Sequence, residues 1–277
     1  NIFLAFSPER VDPGNREYKT RNTPKIVGGV TPNCLKIVKA LYGKVIKTIV
    51  PVSSSRSAEM VKLLENTFRA VNIGLVNEMA VMCDRLGIDV WEIIEAASTK
   101  PFGFMPFYPG PGLGGHCIPV DPHYLLWKLK TLDYKARFIE LADDINTHMP
   151  HYVVTKVSDT LNTMGKTIKN STILILGMAY KKDTGDVRES PAIAIIDLLL
   201  KKGARIACND PFLNNNWKYA SIRNSKLTVQ LMKKAACTVI CTNHGSYDYK
   251  KIVKNSQLVI DTRNATKGIK NSKIIKL

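Results

Sequence analysis

The chain has 277 residues, 45% of them apolar, which is enough for one large domain or two ordinary ones around a sizeable core and argues against disorder. Forty Lys and Arg against twenty-three Asp and Glu give a formal charge of +17, so an anionic partner is favoured by field alone. Aromatics make up only 8%, the lysines are spread over the whole chain and no nucleic-acid signature occurs, so a phosphate-bearing small molecule fits the charge better than DNA or RNA.

The sequence does not begin with Met, and Ile2 to Phe6 reads as a short apolar strand, so a fragment or processed product is expected. The strand delivers Ser-Pro-Glu-Arg to a loop, where Glu9 is a candidate acid or base and an ion pair with Arg10 is the equal alternative. Residues 12–15, Asp-Pro-Gly-Asn, read as a turn and Lys25–Gly29 as a second strand. Thr31 is placed to cap a helix running to about Leu41, with Pro32 in its first turn, and Val45–Val50 reads as a third strand. This opening alternates strand and helix but contains no GxGxxG.

From about Ser57 to Leu86 the pattern is helical, interrupted only by Gly74 and stopped by Gly87. Such a helix, about 45 Å long, exceeds what one core requires and predicts a domain bridge or a dimer interface. Glu59, Lys62 and Asn66 fall on one of its faces, where Lys62 and Asn66 could donate to one ligand oxygen; a surface Glu59–Lys62 pair is the alternative. Asp89-x-x-Glu92 is a capping box for a helix to about Ala97. The aromatic, Pro-rich residues Pro101 to Tyr108 fit a pocket wall or core edge.

Four glycines and two prolines in the eight residues from Pro109 form a loop whose backbone can approach a ligand closely. Cys117 follows, a few residues before a helix for which Asp121 suits the N-cap and Pro122 the first turn. That position favours a thiolate, although loop composition alone favours a packed, inert cysteine. The six cysteines lack a CxxC or zinc spacing, so no metal site is expected and a reducing, cytoplasmic setting is. No apolar run approaches the roughly 18 residues of a membrane span, and the start lacks the basic region of a secretion signal.

Helical periodicity returns through Leu132 and again from about Phe138 to Met164, with a kink expected at Pro150. Ser171–Gly177 is an apolar strand, followed by a loop with Lys181, Lys182 and Arg188 and an apolar helix from Ser190-Pro191 to about Leu200. Further strands at Arg205–Cys208, Thr238–Cys241 and Leu258–Ile260 predict a parallel, doubly wound sheet with ligands at the strand C-termini. The three cations at the first strand-to-helix turn suit a phosphate or pyrophosphate, with exposed cations on a solvated loop the equal alternative, and Asp210, Asn243, His244, Asp261 and Arg263 are candidate contacts by topology alone.

Four segments together, FSPERVDPGN, AEMVKLLENTFRAVNIGLVNE, PGPGLGGHCIPVDPHYL, and LGMAYKKDTGDVRESPA with the later VIDTRN, resemble the nucleotide-sugar 6-dehydrogenases, the UDP-glucose/GDP-mannose dehydrogenase family. The wording of the first and third is most similar to the branch acting on UDP-N-acetylglucosamine or UDP-N-acetylmannosamine. The resemblance implies an α/β fold in three parts: residues 1–53 as the closing part of an NAD-binding Rossmann domain, 54–165 as a long-helix dimerisation and catalytic region, and 166–277 as a Rossmann-like parallel-sheet domain binding UDP. It implies oxidation of a sugar C6 alcohol to a carboxylate with two NAD, through a homodimer built on the long helix. In that scheme Cys117 is the nucleophile, forming a thiohemiacetal and then a thioester. Lys62 and Asn66 stabilise oxyanions, Asp121 handles a water and Glu9 acts as general base in thioester hydrolysis. Phe104, Gly112, Gly114, Tyr180, Lys181, Arg188 and Arg263 become substrate contacts, with Arg69 a further one reaching a neighbouring subunit. Without a GxGxxG the chain alone is expected neither to bind NAD productively nor to turn over. A non-catalytic nucleotide-sugar binder or assembly subunit is the alternative, as is a UDP-glucose 6-dehydrogenase.

Overall fold

The computed structural model describes residues 2–12, 15, 17–214 and 216–277. Pro13 and Gly14, within the turn expected at 12–15, lie outside the described residues. The chain forms two compact units, Asn1–Arg69 and Ala70–Leu277.

The first unit is a three-stranded sheet with one covering helix. Strand β1 (Ala5–Phe6) pairs antiparallel with β2 (Lys25–Gly29), which pairs parallel with β3 (Ile49–Val52), and α1 (Pro32–Tyr42) crosses between the parallel pair. Thr31 caps α1 through a bond from the Cys34 amide to its Oγ1, as its hydroxyl and the following proline require. Two strands differ from expectation. Only Ala5–Phe6 of the first run is strand, Ile2, Phe3 and Leu4 being exposed. The third starts at Ile49 because α1 closes through Gly43 into a turn, with the amides of Val45 and Ile46 donating to the Tyr42 carbonyl.

Helix α2 (Ser55–Leu86) has 32 residues, about 48 Å at the usual rise, and runs from the first unit into the second. Its second-unit part packs with α3 (Val90–Ala97), capped by Asp89 accepting from the Trp91 amide, in a cluster of Val76, Ala80, Cys83, Val90, Trp91 and Ile94. The chain continues through α4 (Asp121–Lys130) and α5 (Arg137–Thr163), and Gly74 in α2 lets the backbone of Ala142 in α5 come close, since a Cβ there would lie 3.2 Å from its Cα.

The rest of this unit is a five-stranded sheet, all parallel, in the order β10-β9-β8-β4-β5. Its elements in chain order are β4 (Thr172–Leu176), α6 (Pro191–Lys201), β5 (Arg205–Asn209), a small hairpin of β6 (Lys218–Tyr219) and β7 (Ile222–Arg223), α7 (Val229–Lys234), β8 (Cys237–Ile240), α8 (Tyr249–Asn255), β9 (Val259–Asp261) and β10 (Ile274–Lys276). Alternate side chains of β4 supply both faces of the core. Ile173 and Ile175 pack with Val153, Val157 and Leu161 of α5 and Ile195, Ile196 and Leu199 of α6. Leu174 and Leu176 pack with Met232 of α7 and Ile252 and Val253 of α8. Each such side chain, fully buried, contributes about 1.5–3 kcal/mol, so the sheet centre is a rigid support for the loops at its C-terminal edge. The β6–β7 hairpin and β10 were not expected, being too short to show a period.

Candidate active site

In the first unit, Lys62 lies on the face of α2 directed at the Glu9 loop, and its Nζ donates to the Glu9 carbonyl at 2.9 Å. The Glu9 carboxylate accepts from the amides of Val11 and Arg10, both at 2.8 Å, and pairs with Lys25 Nζ at 3.3 Å. The Val11 amide foremost, then Arg10 and Lys25, outweigh partial burial and hold this carboxyl below its usual range. The alternative pairing with the Arg10 side chain is corrected: that guanidinium grips Glu65 at 2.6 Å and the Pro24 carbonyl at 2.7 Å. Asn66 is half-buried one turn beyond Lys62, and Arg69 is exposed.

In the second unit the glycine loop after Pro109 is laid into the molecule with almost no clearance. A Cβ on Gly110 would lie 2.4 Å from Arg263 Nη1, one on Gly114 2.6 Å from the Tyr180 Cβ, and one on Gly115 2.9 Å from the Tyr180 ring. Gly112 adopts φ 132°, open only to glycine at low cost, and sits against the Asn146 carbonyl, Pro150 and Pro191. The Gly115 amide donates to the Arg188 carbonyl at 3.0 Å. The structure therefore brings Gly112, Gly114, Tyr180 and Arg263 together around one loop. Cys117 follows, the one cysteine of six that is not buried, and its carbonyl accepts from the amides of Val120 and Asp121 at the start of α4. Asp121 is the first residue of that helix and not its cap, a position held by Val120 without a side-chain bond. The reason is that the Cys117 carbonyl already turns the chain into the helix, which leaves the Asp121 carboxylate in the first turn, where the helix dipole favours it. Phe104 is exposed on the stretch leading in.

The Lys181 loop is organised from beneath by Asp210. This carboxylate, 1% exposed, accepts from the amides of Met178 (2.7 Å), Ala179 (2.9 Å) and Phe212 (2.9 Å), and from His244 Nε2 at 3.1 Å. His244 is fully buried, and its Nδ1 accepts from the Asp183 amide at 2.9 Å, which fixes the proton on Nε2. Burial would raise Asp210, but the bonds from His244, Ala179 and Phe212 overcome it and leave its pKa lowered. Asp210 and His244 thus hold loops together and do not face a ligand, a correction to their reading from topology. Asp261 is corrected likewise: fully buried, it accepts from the amides of Arg263, Ala265 and Thr266 and from the Thr266 hydroxyl. Arg263 Nε donates to the Cys241 carbonyl at 3.0 Å, and burial lowers its pKa. Lys181 is half-buried, while the Arg188 guanidinium is mostly exposed and held by Asp186 at 2.6 Å. The bond from Arg188 lowers the Asp186 pKa, and Asp186 raises that of Arg188.

Two residues were missed from sequence. Asn77 of α2 and Asn146 of α5, 0% and 3% exposed, bond to each other, and Asn77 holds the Gly110 amide. The available signal was Asn77 on the helix stripe of Ala70 and Ala80.

A dinucleotide cradle needs closely spaced glycines where a strand turns into a helix. The turn between β2 and α1 uses Gly29 for packing, a Cβ there lying 2.3 Å from the Leu35 amide nitrogen, and the β4–α6 loop uses Gly177 against Thr242. Neither turn, among the described residues, fits NAD. No helix of the described residues is long and apolar enough to cross a membrane.

Residues 56–148 match the UDP-glucose/GDP-mannose dehydrogenase family, central domain, and residues 174–268 match the same family's UDP binding domain. The UDP-N-acetyl-D-mannosamine dehydrogenase of Methanococcus vannielii is 33% identical over 273 residues, covering 95% of this chain and 61% of the relative. Protein CapL of Staphylococcus aureus is 33% identical over 278 residues, covering 98% and 64%. A solved UDP-D-ManNAc dehydrogenase from Pyrococcus horikoshii superposes with a TM-score of 0.87 at 32% identity, over 99% of this chain and 64% of that one. The chain thus spans less than two thirds of the length of these relatives. With the two matched domains in order, and 99% of its length superposing on part of a solved relative, the chain belongs to the UDP-glucose/GDP-mannose dehydrogenase family.

Proposed function

We propose that this chain carries the nucleophile and the sugar-nucleotide site of an NAD-dependent dehydrogenase that oxidises the C6 alcohol of a UDP-N-acetylhexosamine to the uronic acid. The relatives named for UDP-N-acetyl-D-mannosamine favour that epimer. The observation that carries the proposal is the glycine loop seated on Tyr180 and Arg263 with the accessible Cys117 at its end. Backbone groups of Gly112 and Gly114 line the sugar and pyrophosphate, Arg263 and Lys181 supply charge to the nucleotide, and Phe104 and Arg188 border it.

Cys117 adds to a C6 aldehyde to give a thiohemiacetal, and the derived thioester is cleaved by water. Asp121 orients that water, Glu9 accepts its proton, and Lys62 and Asn66 stabilise the oxygen that carries negative charge. NAD would accept the hydrides in the whole protein, one lost as the C6 alcohol becomes the aldehyde and one as the thiohemiacetal becomes the thioester. Exposed Met60, Leu64, Phe68, Leu75, Met82 and Leu86 recur at helical spacing along α2, which supports a homodimer built on that helix and a reach of Arg69 to the partner. The three-part division at about residues 53 and 165, and a cytoplasmic location, belong to the same reading.

Titration calorimetry with UDP tests the site. One UDP per folded chain is expected, weakened at least about tenfold by Arg263→Ala, a change of roughly 1.4 kcal/mol. Mass spectrometry after addition of a UDP-sugar 6-aldehyde should find the adduct on Cys117 and none in Cys117→Ser. A folded chain that binds no UDP would overturn the proposal.

A further inference from the structure

We infer that Asn77 is a positioning residue: through a one-way chain of buried amide bonds it sets where Gly110, and with it the Arg263 guanidinium, stands in the nucleotide site. The inference rests on the proposed sugar-nucleotide site and adds to it a residue that touches no ligand.

The chain of bonds runs from the loop into two helices. The Gly110 amide donates to Asn77 Oδ1 at 2.9 Å, Asn77 Nδ2 donates to Asn146 Oδ1 at 2.8 Å, and Asn146 Nδ2 donates to the Ala70 carbonyl at 3.1 Å. Its direction is forced at both ends. A backbone N–H can only donate, so Asn77 must present oxygen to Gly110; a backbone carbonyl can only accept, so Asn146 must present nitrogen to Ala70. The contact between the two side chains then has one possible polarity, and neither amide can flip without stranding a buried group.

Stability alone does not call for this arrangement. Two desolvated amides in a helix interface bring little net stabilisation over an apolar pair of the same shape. What an apolar pair could not do is accept the Gly110 N–H and so fix the rotation of the loop at its entry. Gly110 is the residue over which the Arg263 guanidinium lies, so close that a Cβ would be 2.4 Å from Nη1. A shift of Gly110 by a few tenths of an ångström therefore moves or frees Arg263. Asn146 supports the same loop a second time, its backbone carbonyl packing on Gly112.

Three chains decide it: wild type, Asn77→Asp, and the double variant Asn77→Leu with Asn146→Leu. Asp, neutral where it is fully buried, keeps an acceptor for the Gly110 amide and an O–H donor for Asn146 Oδ1; the leucine pair keeps the branched shape and removes both polar partners. UDP affinity by calorimetry, thermal unfolding, and hydrogen exchange of residues 108–116 are measured on each. The expected result is a double variant that still unfolds cooperatively and whose UDP affinity, measured well below its melting temperature, falls at least about tenfold while its loop exchange rises at least about tenfold, with Asn77→Asp within about twofold of wild type in both. A double variant that binds UDP and exchanges like wild type overturns the inference. So do losses of affinity that follow melting temperature equally in both variants, the mark of a merely structural role. If the wild-type chain binds no UDP, the nucleotide-site reading fails, and the exchange arm still decides: faster loop exchange confined to the double variant supports the role of Asn77, and equal exchange refutes it.

Discussion

Replacing Asp210 by Ala removes the acceptor for four donors at once, the amides of Met178, Ala179 and Phe212 and His244 Nε2. Each buried donor left without a partner costs about 1–3 kcal/mol, which sets an upper range of roughly 4–12 kcal/mol. The loop can relax and admit water at its outer end, so the expected loss is about 3–5 kcal/mol, the range for stripping one partner from a buried charged pair. For a unit of this size that is a fall in melting temperature of roughly 6–20 °C. Urea unfolding followed by tryptophan fluorescence gives the free energy directly, and Asp210→Asn, which keeps one acceptor oxygen, should fall between. UDP binding should weaken in Asp210→Ala even well below its melting temperature, because the residues after β4 that carry Tyr180 and Lys181 lose their floor. An Asp210→Ala chain within about 1 kcal/mol of wild type would refute the reasoning, since the four bonds would then contribute nothing beyond what water supplies.

Gly110→Ala should abolish UDP binding while leaving helix content unchanged, because its Cβ displaces the Arg263 guanidinium and not a helix; calorimetry and circular dichroism check both halves. A disulfide reagent should titrate one thiol per native chain, at Cys117, and six after denaturation; two or more fast native thiols would contradict the burial of Cys34, Cys83, Cys208, Cys237 and Cys241. Acid should destabilise the second unit. Asp210 and Asp84 both have pKa values lowered from 3.8, Asp84 because bonds from Lys156 and Tyr152 overcome its burial, so their contribution is complete above that value and lost as pH falls through the lowered ones. Unfolding free energy should therefore be level from about pH 7 to 5 and decline below about pH 4.

How much of this was legible in the sequence depended on whether the signal was local. Thr31 with Pro32, Asp89, and Ser190 with Pro191 each mark a helix start by their own chemistry, and all three side chains cap, although Asp89 accepts from the Trp91 amide and not from Glu92 as a capping box would. The apolar runs of β4, β8 and β9 announce strands buried on both faces. The four glycines of the Cys117 loop declared a close approach, though not to what. Asp121 was misplaced by one position because a backbone carbonyl, invisible in sequence, took over the turn. Asp210 and His244 were read as ligand contacts since strand C-termini usually carry them, and only three-dimensional accounting shows that every polar atom is already engaged within the fold. The Asn77–Asn146 pair lies 69 positions apart, so no window of local pattern could have joined them.

Pro150 stands inside α5, and with no N–H it leaves the Asn146 carbonyl without its usual donor one turn back. Gly112 rests at that spot, its would-be Cβ 3.2 Å from the carbonyl oxygen and 3.5 Å from Pro150 Cδ. The helix defect is therefore a seat. A well-meant stabilising change such as Pro150→Ala would mend the helix, whose interior tolerates proline at a cost of about 3 kcal/mol, and would reshape the notch in which the loop lies. Selection of this protein for heat resistance alone would drift toward that repair, and a screen that reads only melting temperature would score as improved a molecule whose glycine loop no longer had its place.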